Sequence, residues 1–243
     1  MTTNNADDNG VPILTTDDIE LKAEEVISYF DRTVLDIPQR TPLLEIIKEL
    51  NKKYNVAFNC SLPLGATKYG NIILGKTQLK PKGIFVDVSL INDPRFHFIL
   101  AHELGHLILH RFVDIKKTGY EEQELVDTEI DFVTGKKNLK TARDWIEWQA
   151  NYFASAILIP RATVIQAVIE KQKEMDIKRN IGQIILEPKQ YSVSDYKEIQ
   201  KQLVLIYNVN ATNIEYRLKE LGILIDRMNL NVKHVSEFFA TEG

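Results

Sequence analysis

The sequence predicts an α+β chain: a small β-sheet, a central helix bearing clustered histidines, and a helical C-terminal region. Two observations carry this. Three short β-rich runs lie between residues 56 and 88, and from residue 94 onward the apolar residues recur at helical rather than strand spacing. The 243 residues are 44% hydrophobic with only 11 Gly and 8 Pro, which suffices for one large or two small cores and excludes disordered and low-complexity classes.

In chain order, residues 1–17 lack apolar periodicity and are expected to form a solvated acidic tail. From Ile19 to about Leu35 the positions Leu21, Val26, Ile27 and Phe30 predict a first helix. Thr41-Pro42 supplies an N-cap and an N1 proline for a second, whose apolar face is Leu43, Ile46, Ile47, Leu50 and Tyr54. Strands are expected near Val56 to Phe58, Asn71 to Leu74 and Ile84 to Val88, separated by turns such as Pro81-Lys82-Gly83. Asp93-Pro94 repeats the cap-plus-proline signal and opens a helix from about Pro94 to Phe112. A charged stretch over 113–140 leads to a helix starting near Thr141 and ended by Pro160. Farther on, Ser194 to Tyr207 and Ala211 to Leu221 read as helices joined by Asn208-Val209-Asn210, the second stopped by Gly222.

Charge and cysteine content narrow the function classes. The net charge is −4, but residues 1–20 hold five acidic side chains and no Lys or Arg, so the rest is near neutral, with 30 basic against 29 acidic residues. That balance gives no electrostatic footprint for nonspecific binding to nucleic acid or an anionic membrane. Cys60 stands alone, which excludes an intrachain disulfide framework and a cysteine-rich zinc cluster, and it is expected to be a buried small hydrophobe. With a polar, acidic start and no apolar run of membrane-spanning length, a cytoplasmic, soluble protein is expected.

Four of the five histidines, His97, His102, His106 and His110, lie within 14 residues of the central helix. His102-Glu103-Leu104-Gly105-His106 is an H-E-x-x-H motif: its histidines at i and i+4 project from adjacent turns of one face and can share a zinc ion, with Glu103 within reach of a water beside it. Phe96, Leu100, Leu104 and Ile108 form a stripe about 200° around the helix from the histidines, so one side is expected to pack while the other binds metal. A catalytic zinc takes three protein ligands. A third from H-E-x-x-H-x-x-G-x-x-H would need Gly and His where the chain has Leu109 and Phe112. The later segment offers Glu147, Ala150, Asn151 and Ala154 at i, i+3, i+4 and i+7 of one helical face. Ala150, Ala154 and Gly105 would let the two helices approach closely, and Asn151 is placed to accept a hydrogen bond from a liganding histidine. Spacing alone leaves Glu147 either the third ligand or a solvated helix carboxylate.

The segments FHFILAHELGHLILH (Phe96 to His110) and EWQANYFASAILIP (Glu147 to Pro160) resemble the ImmA/IrrE family of bacterial and phage zinc metallopeptidases. Both the H-E-L-G-H helix and the later E-x-x-A-N-x-F-A pattern (Glu147 to Ala154) occur in order, and where the family continues x-x-L-x-P this chain has Ile157 in place of the Leu and its Pro one residue later, at Pro160. The resemblance is most specific over 94–160, and beyond it Arg217 to Gly222 (R-L-x-x-L-G) is similar to members of the family. It implies a zincin-like metallopeptidase core with His102, His106 and Glu147 as Zn2+ ligands and Glu103 as the catalytic carboxylate that activates the zinc-bound water. The implied substrate is a specific intracellular protein, a transcriptional repressor of helix-turn-helix type. The acidic tail and first helix leave no room for the N-terminal DNA-binding domain that some members carry, and the 113–140 segment is expected to act as a lid or specificity loop. Substrate is expected as an added strand along the sheet edge, with Ile84 to Val88 or a neighbour as that edge.

The expected division is a tail over 1–17, a peptidase domain over 18–160 and a helical region over 161–243 that serves for partner docking. Competing readings are a non-proteolytic regulator that binds and disarms a repressor, a DNA-binding regulator working through the C-terminal helices, and a general peptidase. Lys197, Lys201, Arg217 and Lys219 are interleaved with Glu198, Glu215 and Glu220, which argues against DNA contact there. His110 and His97 are expected to be structural rather than ligands, His234 a surface residue, and Trp145 and Trp148 packing residues.

Overall fold

A reciprocal cap starts the first helix: the Thr15 hydroxyl accepts from the Asp18 N–H while the Asp18 carboxylate accepts from the Thr15 N–H. The chain's structure, a computed structural model, describes residues 6–7, 10–118, 120, 124–128 and 139–228. His234 and parts of the 1–17 and 113–140 segments lie outside them. Helix α1 (Thr16–Phe30) buries Ile19, Ala23 and Ile27; it stops at Asp31, whose backbone is extended, and a single turn, α2 (Thr33–Asp36), completes the stretch expected to be one helix. In α3 (Leu43–Tyr54) Leu43, Ile46, Ile47 and Leu50 are buried as their spacing predicts, whereas Tyr54 is exposed. Thr41 does not cap it. Its hydroxyl donates instead to the Ile157 carbonyl at 2.6 Å, tying the start of α3 to a distant helix.

Four strands form one sheet, β1 (Ala57–Asn59), β2 (Ile73–Leu79), β3 (Lys82–Val86) and β4 (Leu125–Thr128), in the order β1-β3-β2-β4. The β1–β3 pair is parallel and the others are antiparallel. The Ile84 to Val88 run expected at an edge is therefore interior, because β3 is flanked by β1 and β2. The edge strands are β1 and β4, and β4 comes from the charged 113–140 segment, where periodicity gave no strand.

Helix α4 (Phe96–Leu109) begins just after Asp93, whose carboxylate accepts from the Arg95 N–H at 2.8 Å, and ends at His110. It is shorter than expected at both ends. Nor is it two-faced: all but a few of its side chains are buried, because β2 and β3 cover one side and α5 (Ala142–Leu158) the other. Thr141 and Asp144 form a second reciprocal cap at the start of α5. The α4–α5 approach depends on Gly105, where a Cβ would lie 3.3 Å from backbone atoms of Ala150 and 3.1 Å from the Phe153 ring.

Beyond Pro160 come α6 (Arg161–Glu174), β5 (Ile184–Leu186), α7 (Gln190–Tyr207), α8 (Ala211–Glu220) and β6 (Leu224–Asp226). Asn208 ends α7 in the left-handed region (φ 52°), Asn210 caps α8 by accepting from the Asn213 N–H at 2.8 Å, and Gly222 follows at φ 66°. The β5–β6 pair is a parallel two-stranded sheet that helical periodicity does not foresee. One hydrophobic core runs from α1 through α8. Arg217 of α8, fully buried, crosses it: Nη1 and Nη2 donate to the two Glu20 carboxylate oxygens at 2.6 and 2.9 Å, and Nε donates to the Ile159 carbonyl. The Tyr152 hydroxyl also donates to Glu20, at 3.0 Å. Cys60 is half-buried against the core rather than fully enclosed, Trp148 packs against Trp145 and Tyr152, and Trp145 is exposed. No single helix among the described residues is long and apolar enough to cross a membrane.

Candidate active site

The α4–α5 seam and the sheet edge bring four metal-binding side chains to one point. Helix periodicity places His102 and His106 on one side of α4, and the close α4–α5 contact sets Glu147 opposite them. Asp127 enters from β4. One ligand atom from each of the four lies within 4.8 Å of the others, and all four side chains are fully buried. The Nε2 atoms of His102 and His106 both stand 3.3 Å from Asp127 Oδ2, and they are 3.3 and 3.9 Å from Glu147 Oε2. Glu147 is therefore not a solvated helix carboxylate.

The far nitrogens of both imidazoles are held so that Nε2 faces the cluster. His102 Nδ1 is 2.9 Å from Asn151 Oδ1, the contact expected of Asn151 one turn after Glu147. An amide oxygen only accepts, so Nδ1 carries the proton and the Nε2 lone pair is left for a cation. His106 Nδ1 lies 3.1 Å from His110 Nδ1, His110 Nε2 lies 3.0 Å from Gln149 Oε1, and Gln149 Nε2 donates to the Pro12 carbonyl at 2.7 Å. Only one direction satisfies every link: His106 donates to His110, His110 to Gln149, and Gln149 to Pro12. His110 must stay neutral for this, and burial together with the neighbouring His106 holds its pKa well below the usual value. It is a support for His106 and lies one shell outside the ligand cluster.

Electrostatics favour a cation at the centre. Asp127 and Glu147 place two carboxylates in a dry interior, where Asp127 Oδ1 and Oδ2, Glu147 Oε2 and His106 Nε2 make no hydrogen bond among the described residues. Burial opposes a charge on His102, yet Asp127 and Glu147 outweigh it and lift the imidazole pKa well above its usual value. Burial opposes ionisation of Asp127 too, but the two imidazoles hold its pKa well below the usual carboxylate range. Each shift signals a site that draws in positive charge.

Glu103 is set beside this cluster by β2. The Thr77 hydroxyl donates to its Oε2 at 2.6 Å, while Oε1 has no hydrogen-bond partner among the described residues. Burial, with the charge of Asp127, raises the Glu103 pKa well above normal. Gly75 makes room for it: a Cβ built there would stand 1.9 Å from Glu103 Oε1. Its φ is not positive, so alanine suits the backbone and only the collision matters. Gly75→Ala is expected to displace the carboxylate and destabilise the fold by about 1–3 kcal/mol, measured as a lowered urea midpoint; an unchanged midpoint would show that the carboxylate has room to turn aside.

Four contributors escaped the sequence reading. Asp127 and Tyr120 come from the 113–140 segment, and the Tyr120 hydroxyl donates to Glu147 Oε1 with the Arg143 guanidinium over its ring. Thr77 and Gly75 come from β2, which runs on past the expected Asn71 to Leu74 stretch, and a glycine within a strand is itself a sign of close approach by another group. Of the residues singled out in advance, His102, Glu103, His106, Glu147 and Asn151 come together here. His97, half-buried against Phe96, does not.

Comparison with known families matches residues 73–184 to the model of Peptidase M78, described as an IrrE N-terminal-like domain. The span runs from the start of β2 to the start of β5 and contains the whole ligand cluster. No curated protein matches the chain.

Proposed function

We propose that the chain, whose residues 73–184 match the Peptidase M78 model of an IrrE N-terminal-like domain, is a zinc-dependent endopeptidase cutting a specific intracellular protein, a helix-turn-helix transcriptional repressor. The observation that carries the reading is the convergence of two Nε2 atoms and two carboxylates beside a buried, half-satisfied glutamate. In the proposal His102, His106 and Glu147 hold the ion. A tetrahedral zinc with bonds of about 2.0–2.1 Å sets neighbouring donor atoms roughly 3.3–3.4 Å apart. Within this set the His102 Nε2–Glu147 Oε2 separation is 3.3 Å, as such a centre needs, and the His106 Nε2–Glu147 Oε2 separation is 3.9 Å.

A bound zinc would supply Lewis acidity, making a nearby water nucleophilic and polarising the scissile carbonyl. Glu103 takes the proton of the attacking water on Oε1, since Thr77 keeps Oε2 engaged, and then returns it to the leaving amine. The repressor as substrate rests on the ImmA/IrrE resemblance, and action in the cytoplasm on the single cysteine, which suits a reducing compartment. Partner docking by the helices beyond residue 160 is proposed on the exposed Leu205 of α7 and Tyr216 of α8, large apolar side chains on the helix pair.

The decisive experiment compares new protein N-termini in host cells expressing the chain or its Glu103→Gln variant. One or a few Glu103-dependent termini in a repressor are expected; none under either resting or stress conditions would favour a regulator that binds without cutting. Separately, Glu147→Ala is expected to lower bound zinc well below one ion per chain by elemental analysis. Unchanged metal content would remove Glu147 from the ligand set.

A further inference from the structure

A catalytic zinc centre takes three protein donors and leaves a fourth position to water, whereas four protein donors make a closed centre. His102, His106 and Glu147 already supply three. Asp127 adds a fourth from β4, its Oδ2 equidistant from the two histidines at 3.3 Å. The side chain has no exposure, and neither oxygen makes a hydrogen bond among the described residues, so a cation is what would compensate its burial. Its aim is built into the backbone. In the β2–β4 ladder Asp127 pairs with Gly75, and the register is irregular between Ile73 and Gly75, the kind of bulge that re-aims a side chain. β4 is also an edge strand, and it lies along the side of β2 to which an extended peptide would otherwise add.

We propose that Asp127 is the fourth metal ligand, so that the centre as folded is closed and opens for hydrolysis only when Asp127 withdraws. This rests on the metallopeptidase reading above. The chain thereby carries an internal occupant of the position that water must take, supplied by a strand held through a short ladder at the sheet margin.

The test uses the full chain loaded with cobalt(II), whose visible spectrum reports the donor set, and azide as a small competing ligand. Asp127→Asn keeps the side chain's shape, and Asp127→Ala removes the donor altogether. Wild type is expected to bind cobalt with a spectrum indifferent to azide. Both variants should bind cobalt at least about tenfold more weakly and should change spectrum as azide enters the vacated position. If wild type responds to azide as the variants do, or if all three bind cobalt equally, Asp127 is not a ligand and this inference falls while the metallopeptidase reading stands. If wild type takes up no cobalt and Glu147→Ala changes nothing, the metal reading itself falls, and the inference with it.

Discussion

Glu103→Gln should abolish hydrolysis and leave metal content unchanged. The substitution is nearly isosteric, and the Thr77 hydroxyl can donate to the amide oxygen as it now does to Oε2, so the packing of α4 on β2 is preserved. What disappears is a group able to take a proton. General-base assistance is worth roughly 10²–10⁴ in rate, so cleavage of a substrate identified from the N-terminus comparison should fall by about that factor. Metal content should stay at the wild-type value by elemental analysis, because Glu103 is outside the proposed donor set. A variant that kept a tenth or more of the activity would mean that another group accepts the proton, and one that lost its metal would place Glu103 among the ligands.

The largest effect on stability is expected from Arg217→Met. Arg217 and Glu20 are both buried and meet through two hydrogen bonds of 2.6 and 2.9 Å. Removing the cation leaves the Glu20 carboxylate inside with the Tyr152 hydroxyl as its remaining hydrogen-bond donor among the described residues, and it also strips a donor from the Ile159 carbonyl. Breaking one side of a buried pair costs about 3–5 kcal/mol, whereas replacing both partners by neutral groups of similar volume is much milder. Urea unfolding should therefore show the single variant destabilised by that amount and Glu20→Gln/Arg217→Met recovering much of it. A loss below about 1 kcal/mol for Arg217→Met would mean that water reaches Glu20.

That His102 and His106 share one helical face, and Glu147 and Asn151 another, was legible in the sequence because helices write their geometry locally: residues four apart share a face whatever surrounds them, whereas spacing alone did not decide that the two faces meet. Their burial was less so. The stripe of Phe96, Leu100, Leu104 and Ile108 suggested one covered face, but a helix packed between a sheet and a second helix is enclosed on both. Asp127 and Tyr120 were illegible for a different reason. Asp127 reaches the cluster through a strand pairing between residues about fifty positions apart, and a four-residue strand in a charged stretch has too few alternations to show a period; Tyr120 lies outside any helix or strand, where no periodicity could point to it. The diversion of Thr41 to Ile157 was likewise set by a tertiary contact that overrides local preference, whereas α1 ends locally at Asp31, whose carboxylate accepts from the Thr33 N–H at 3.1 Å.

Because the side chains of His102, His106, Asp127 and Glu147 have no solvent exposure, an ion held by them would be enclosed by the residues packed around it. Its exchange must wait for the seam between α4 and α5 or the β2–β4 ladder to come apart, so the rate belongs to a breathing motion of the protein and not to the strength of the coordination bonds. A chelator added to the folded chain would then strip the ion at a pace independent of chelator concentration. Tight retention and slow loading become two aspects of one property, and the moment at which the ion is acquired shifts toward the folding of the chain itself.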